Sequence, residues 1–113
     1  MTKAILWIGT SKTDLIAFPD DVKKGMGYQL SLLQQGVRPI DFKSMKSVGA
    51  GVFELRQTGI DGAYRVIYVT KIKDTIAVLH CFQKQSQRTS RKDLNIATSR
   101  YKDLMRETEK KVK

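Results

Sequence analysis

Three segments rich in β-branched and aromatic residues, all after residue 51 of this 113-residue chain, limit its fold more than any other feature. They cover residues 52–57, 63–71 and 75–83. The first two are separated by residues 58–62, and the last two by a short polar turn around Lys73 and Asp74. Such short connections join antiparallel neighbours, because a parallel pair needs a crossover of about a dozen residues or more. The pattern therefore predicts an antiparallel β-meander of three strands.

Helices are predicted on both sides of this meander. After Pro19, which suits the first position of a helix, apolar residues recur at helical spacing. They are Val22, Met26, Leu30 and Leu33. This helix is expected to end at Gly36, a residue type that favours helix C-termini. A further helix is predicted from Asp93 to about Glu109, with residues 110–113 frayed.

The remaining segments complete a simple order along the chain. A short strand is predicted at residues 3–8, and a helical stretch follows from Ser11 or Thr13. Residues 37–51 are expected to form a connector. The order of strand, helices, three strands and helix predicts an α+β fold in a single domain that spans residues 1–113.

Cysteine content and apolar run length bear on the compartment. Cys81 is the only cysteine, which excludes an internal disulfide and a zinc site built on several cysteines. The apolar run at residues 4–8 is too short for a signal-peptide core or a membrane span. We therefore expect a cytoplasmic protein with no membrane partner.

Net charge indicates a polyanionic partner. The chain has 21 Lys and Arg against 11 Asp and Glu, which gives a net charge of +10. Residues 84–113 carry ten of these cations and only four of the acids. Nucleic acid is a natural partner for such a surface, while the alternative is a solvated basic helix face that contributes only solubility.

The common catalytic motifs are absent from this sequence. It has no phosphate-binding glycine loop, no metal-spaced cysteines or histidines, no nucleophilic serine elbow and no pair of carboxylates in an apolar neighbourhood. What remains is a set of cations in or at the end of successive strands, namely Arg56, Arg65 and Lys84. The meander could bring them together on the sheet face that the helices leave uncovered. The alternative is surface ion pairs with Glu54 or Asp61.

His80 is the candidate for proton transfer, because its unperturbed pKa lies near neutrality. A lone histidine in a strand is more often a structural residue, and the sequence leaves both roles open. Cys81, the next residue, should face the opposite side of the sheet and act as a small buried apolar side chain.

Several segments carry a resemblance to a known family. They read GVFELR at 51–56, GAYRVIY at 62–68 and VLHCFQK at 78–84, and a basic helix with Asp93 and Ala97 follows them. Together they resemble the phage-derived branch of HigB toxins in the RelE/ParE superfamily. The similarity extends upstream through Trp7, Phe18-Pro19, the Gln34–Gly36 helix end and Lys46, so it covers nearly the whole chain.

This resemblance implies a RelE-like fold and a function. The implied activity is that of an mRNA interferase, a metal-independent endoribonuclease that cuts mRNA, usually at the ribosome, without a cofactor. Its implied partner is a cognate helix-turn-helix antitoxin, with which it represses its own operon. Two alternatives stay open: a ParE-like inhibitor of DNA gyrase, and an inactive phage remnant that only binds nucleic acid.

The resemblance also implies roles for individual residues. Arg65 would clamp the scissile phosphate with help from Lys84, and His80 would act as acid or base. The remaining candidates are cations that would hold the RNA: Arg56, Lys46, Lys43 and Arg88. Glu54 stands where some relatives carry a lysine, so it is either a base or the ion-pair partner of Arg56.

Overall fold

Three helices and five strands form the part of the chain that the computed structural model describes, residues 2–85 and 88–112. The strands are β1 (Ala4–Trp7), β2 (Phe42–Ser44), β3 (Val52–Gly59), β4 (Gly62–Val69) and β5 (Thr75–Lys84). The helices are α1 (Ser11–Ile16), α2 (Asp20–Gln34) and α3 (Arg91–Val112). The architecture is α+β, as predicted.

The strands form one mixed sheet in the order β1-β5-β4-β3-β2. Strands β3, β4 and β5 are antiparallel neighbours, which confirms the predicted meander. Strand β1 adds to it in parallel to β5, and β2 pairs antiparallel with the other edge, on β3. The prediction of a plain connector at residues 37–51 is wrong, since it contains β2. A strand of three residues is too short to show a period-two pattern, and it depends on the exposed edge of β3 for its hydrogen bonds.

The turns and helix ends differ from prediction by a few residues. The predicted five-residue connection between β3 and β4 is a two-residue turn, because Gly59 pairs with Gly62. Pro19 precedes α2, which starts at Asp20, and Gly36 follows the helix end with a positive φ of 75°. Helix α3 starts at Arg91 and continues to Val112 rather than fraying after Glu109. Lys113 lies outside the described residues.

Both faces of the sheet are covered by apolar side chains. Helices α1 and α2 pack on one face, where Leu55, Val66 and Cys81 are buried and Phe53 is partly buried. Burial raises the pKa of the Cys81 thiol to about 12, as expected of an inert apolar residue. Helix α3 packs on the other face, through Ala97. That face was predicted to be uncovered, but only one end of it is open.

No helix among the described residues is both long and apolar enough to cross a membrane.

Candidate functional site

The open end of the α3 face forms a cleft of about 410 Å³. It lies between the β2–β3 loop, strands β3 to β5 and the start of α3. Among the described residues, its lining contains six cations but only one carboxylate, Glu54. The cations are Lys43, Lys46, Arg56, Arg65, Lys84 and Arg88. We call this site the basic cleft. Six of the seven predicted site residues therefore meet there, and His80 is the exception.

Strand register explains why these cations converge. Arg56 of β3 lies directly opposite Arg65 of β4, and Lys84 of β5 lies opposite Ala63, two residues before Arg65. Side chains two residues apart in a strand share a face, so Arg65 and Lys84 project from the same side of the sheet. Lys43 pairs with Glu54 across β2 and β3 and joins them from the sheet edge. Alternation within β3, β4 and β5 thus builds the floor of the cleft, and β2 adds Lys43 at its edge.

A buried ion pair lies on that floor. Arg65 Nε is 3.2 Å from Glu54 Oε1, and the two side chains are only 8% and 4% exposed. Arg65 Nη1 donates to the carbonyl oxygen of Tyr64 at 3.0 Å. The Nε–H group, however, has no hydrogen-bond partner of acceptable geometry among the described residues. The pair is therefore an ionic contact that satisfies only part of the donor capacity of this guanidinium.

The contact shows which arginine is the ion-pair partner of Glu54. Its partner is Arg65 rather than Arg56, and Thr89 Oγ1 donates to its second oxygen at 3.3 Å. Arg56 lies instead 3.8 Å from Asp41, in a half-exposed contact of the kind that contributes little to stability. The carboxylate of the cleft lining thus lies against the cation that is most buried there.

Electrostatic repulsion within the basic cleft is visible at Lys84. Burial lowers the pKa of Lys84, and the positive charge of Arg65 lowers it further. Arg56 and Lys43 act in the same direction, while Glu54 opposes them. A phosphate group bound among these cations would relieve the repulsion, because opposite charges favour the protonated ammonium. The charges that line the cleft therefore favour an anionic ligand over a cationic one.

His80 lies outside the lining of the basic cleft. Its side chain is 8% exposed, and its Nε2 is 2.7 Å from Asp93 Oδ1 in the first turn of α3. The ring stacks on Phe82 with a centroid distance of 4.9 Å. Its acid–base role stays a prediction.

Sequence reasoning placed Asp93 at the start of the last helix but missed its contact with His80, and it missed Thr89 altogether. The sequence contains one signal for this helix start. Ser90 and Asp93 have the spacing of a capping box, in which the side chain of the first residue accepts a hydrogen bond from the backbone N–H of the fourth. That bond is present, with Asp93 N donating to Ser90 Oγ at 3.1 Å. Recognition of this capping box in the sequence would have predicted that the helix starts at Arg91.

Among the side chains that the structure describes, no three His, Cys, Asp or Glu residues are grouped so that they could hold a metal ion.

Comparison with known proteins adds one match. A family model described as phage-derived protein Gp49-like (DUF891) matches residues 13–102. No curated protein matches the chain. The matched region contains every residue that lines the basic cleft, together with His80 and Asp93.

Proposed function

We propose, because this chain belongs to the Gp49-like family of phage-derived proteins, that it is the toxin of a type II toxin–antitoxin system. That family is related to the RelE-type toxins. The proposed activity is that of a HigB-type mRNA interferase, a metal-independent endoribonuclease that cuts mRNA at the ribosome. Its proposed partner is a helix-turn-helix antitoxin encoded separately. The observation that carries the proposal is the basic cleft, with six cations around a single carboxylate.

The chemistry of RNA cleavage matches such a site. The 2′-hydroxyl attacks the adjacent phosphorus, and the phosphorane that forms carries an additional negative charge. Fixed cations aimed at that charge stabilise the transition state more than the ground state. Arg65 suits this task, because burial and its contact with Glu54 hold the guanidinium in place at the cleft floor.

Two proton transfers accompany the attack. The 2′-hydroxyl must lose a proton and the departing 5′-oxygen must gain one. We propose Glu54, the carboxylate in the lining of the basic cleft, as the acceptor of the first. Lys84 suits the second, because its ammonium group carries a proton and lines the same cleft.

We predict that Lys84→Gln lowers RNA cleavage by about ten- to a hundredfold, because it removes a cation and a proton donor from the cleft. The experiment is induced expression of wild type and variant in a bacterial host, with the 5′ ends of a translated mRNA mapped by primer extension. Lys24→Gln is the matched control. Lys24 is an exposed residue of α2, on the other face of the sheet.

New 5′ ends from the wild type and Lys24→Gln, but far fewer from Lys84→Gln, would support the proposal. Growth arrest with intact mRNA would contradict it and indicate a gyrase-type or other binding target. Neither arrest nor cleavage by the wild type would also contradict it, and would indicate an inactive remnant. A supercoiling assay with purified gyrase separates the gyrase target from other binding targets.

A further inference from the structure

We propose that His80 and Asp93 are positioning residues that fix one wall of the basic cleft, rather than groups that exchange protons with the substrate. The wall is the start of α3 together with the residues just before it. This inference rests on the proposed function for its catalytic readout. Its structural readout is independent of any activity.

The contact between the two residues joins β5 to α3. An ionised carboxylate only accepts hydrogen bonds, so His80 Nε2 is the donor to Asp93 Oδ1 across 2.7 Å. The two side chains are 8% and 19% exposed, which keeps water from competing strongly for the bond. We call the pair the α3 clamp.

Asp93 transmits this attachment to the helix start. Ser90 Oγ donates to Asp93 Oδ2 at 2.7 Å and accepts from the Asp93 backbone N–H at 3.1 Å. One carboxylate therefore binds both the strand and the cap of the helix. Thr89, just before the cap, donates to Glu54, and Leu94, just after Asp93, lines the basic cleft. A shift of this turn would move the cleft wall and the hydrogen bond that reaches Glu54.

A β-bulge aims His80 at the helix. The register of β4 and β5 shifts between the pairs Ile67–His80 and Tyr68–Val78, which leaves Leu79 without a pairing partner. Leu79 is buried in the cluster beneath α3, and its neighbour His80 reaches the first turn of the same helix. Bulges commonly re-aim a side chain in this way. The β-bulge in β5 therefore directs the side chain of His80 towards Asp93.

The second ring nitrogen argues against proton transfer to the cleft. His80 Nδ1 is buried and has no hydrogen-bond partner among the described residues. Phe82, which stacks on the ring, lies between His80 and Lys84 along β5. A general acid or base must reach the proton it moves, directly or through one water. Among the described residues His80 does not line the basic cleft, its Nε2 is engaged by Asp93 and its Nδ1 is buried, so neither nitrogen has such a route.

The test compares His80→Ala with His80→Gln, whose side-chain amide nitrogen can still donate to Asp93 but cannot titrate. We expect His80→Ala to lower RNA cleavage about tenfold through a displaced cleft wall. We expect His80→Gln to recover cleavage to within about threefold of wild type. If His80 moves a proton, Gln will be as inactive as Ala, with a loss of about 100- to 10,000-fold. That result would overturn the inference.

Amide hydrogen exchange of residues 91–95 gives the readout that needs no activity. Exchange should be faster in His80→Ala than in wild type and close to wild type in His80→Gln. Unchanged exchange in His80→Ala would overturn the clamp even if cleavage falls. If wild-type protein cuts no RNA, the proposed function fails, and the exchange rates still decide whether the clamp holds α3. His80→Gln keeps the approximate size and the hydrogen-bond donor of the side chain. It therefore keeps the inference testable even if His80→Ala does not fold.

Discussion

Arg65→Ala is expected to lower RNA cleavage at least about a thousandfold and to reduce the free energy of unfolding by about 3–5 kcal/mol. The first effect follows because Arg65 is the buried cation at the floor of the basic cleft. The second follows because its removal leaves the Glu54 carboxylate buried without its counter-ion. Cleavage is measured with purified protein and ribosome-bound mRNA, and stability by urea unfolding.

The two effects of Arg65→Ala have to be separated, because an unfolded protein also cuts nothing. The double variant Glu54→Met with Arg65→Met removes both charges and fills the same volume. Replacing a whole buried ion pair by apolar side chains is often neutral for stability or favourable. We therefore expect this double variant to be far more stable than Arg65→Ala and equally inactive. Substantial cleavage by either variant would contradict the assignment of Arg65 to the phosphate.

The meander and the floor of the cleft follow from local patterns in the sequence. Alternation with period two places Arg56 and Glu54 on one face of β3, and short turns fix which strands are neighbours. From these two facts the convergence of Arg56, Arg65 and Lys84 can be predicted, and the cleft lining confirms it. The same alternation predicts that Leu55 lies on the opposite face of β3. Leu55 is indeed buried there, in the core cluster that contains residues of α2.

The partner of Glu54 could not be predicted, because two arginines on the same face lie within its reach. Arg56 is two residues along the same strand, and Arg65 is on the next strand. The choice depends on burial: Arg65 is covered by its surroundings, whereas Arg56 lies near the sheet edge, beside Asp41. How deeply an arginine side chain is buried on a sheet depends on tertiary packing, which a local sequence pattern does not specify.

Contacts across the chain account for the other differences. Strand β2 exists because the edge of β3 offers hydrogen bonds, and its three residues have no strand signal of their own. His80 and Asp93 are separated by a polar segment, and only the packing of α3 on the sheet brings them together. Residues of the cleft wall therefore belong to the part of the site that the sequence leaves undetermined.

Gln29 is a further residue that pattern analysis overlooks, since a polar residue in an amphipathic helix is expected on its solvent side. It is only 2% exposed and lies between α2 and the sheet. Its Nε2 donates to the carbonyl oxygen of Arg56 at 3.1 Å, and its Oε1 accepts from the backbone N–H of Asp41 at 2.9 Å. One side chain thus ties the helix to β3 and to the segment that enters β2.

Gln29→Leu is expected to reduce the free energy of unfolding by about 2–4 kcal/mol. The apolar side chain would leave two partly buried backbone groups without partners, and each such loss costs about 1–3 kcal/mol. Urea unfolding is the measurement, and the midpoint should fall with little change in the m-value. We also expect weaker RNA binding, because Asp41 and Arg56 lie beside Lys43 at the rim of the cleft.

Gln35→Leu is the matched control, since Gln35 directly follows α2 but is exposed. It should change the free energy of unfolding by no more than about 0.5 kcal/mol. If Gln29→Leu proves as stable as this control, water must satisfy the backbone groups of Asp41 and Arg56, and the tie between α2 and the sheet is dispensable. If it is destabilised as expected, the position of β2, and with it Lys43, depends on a helix on the opposite face of the sheet.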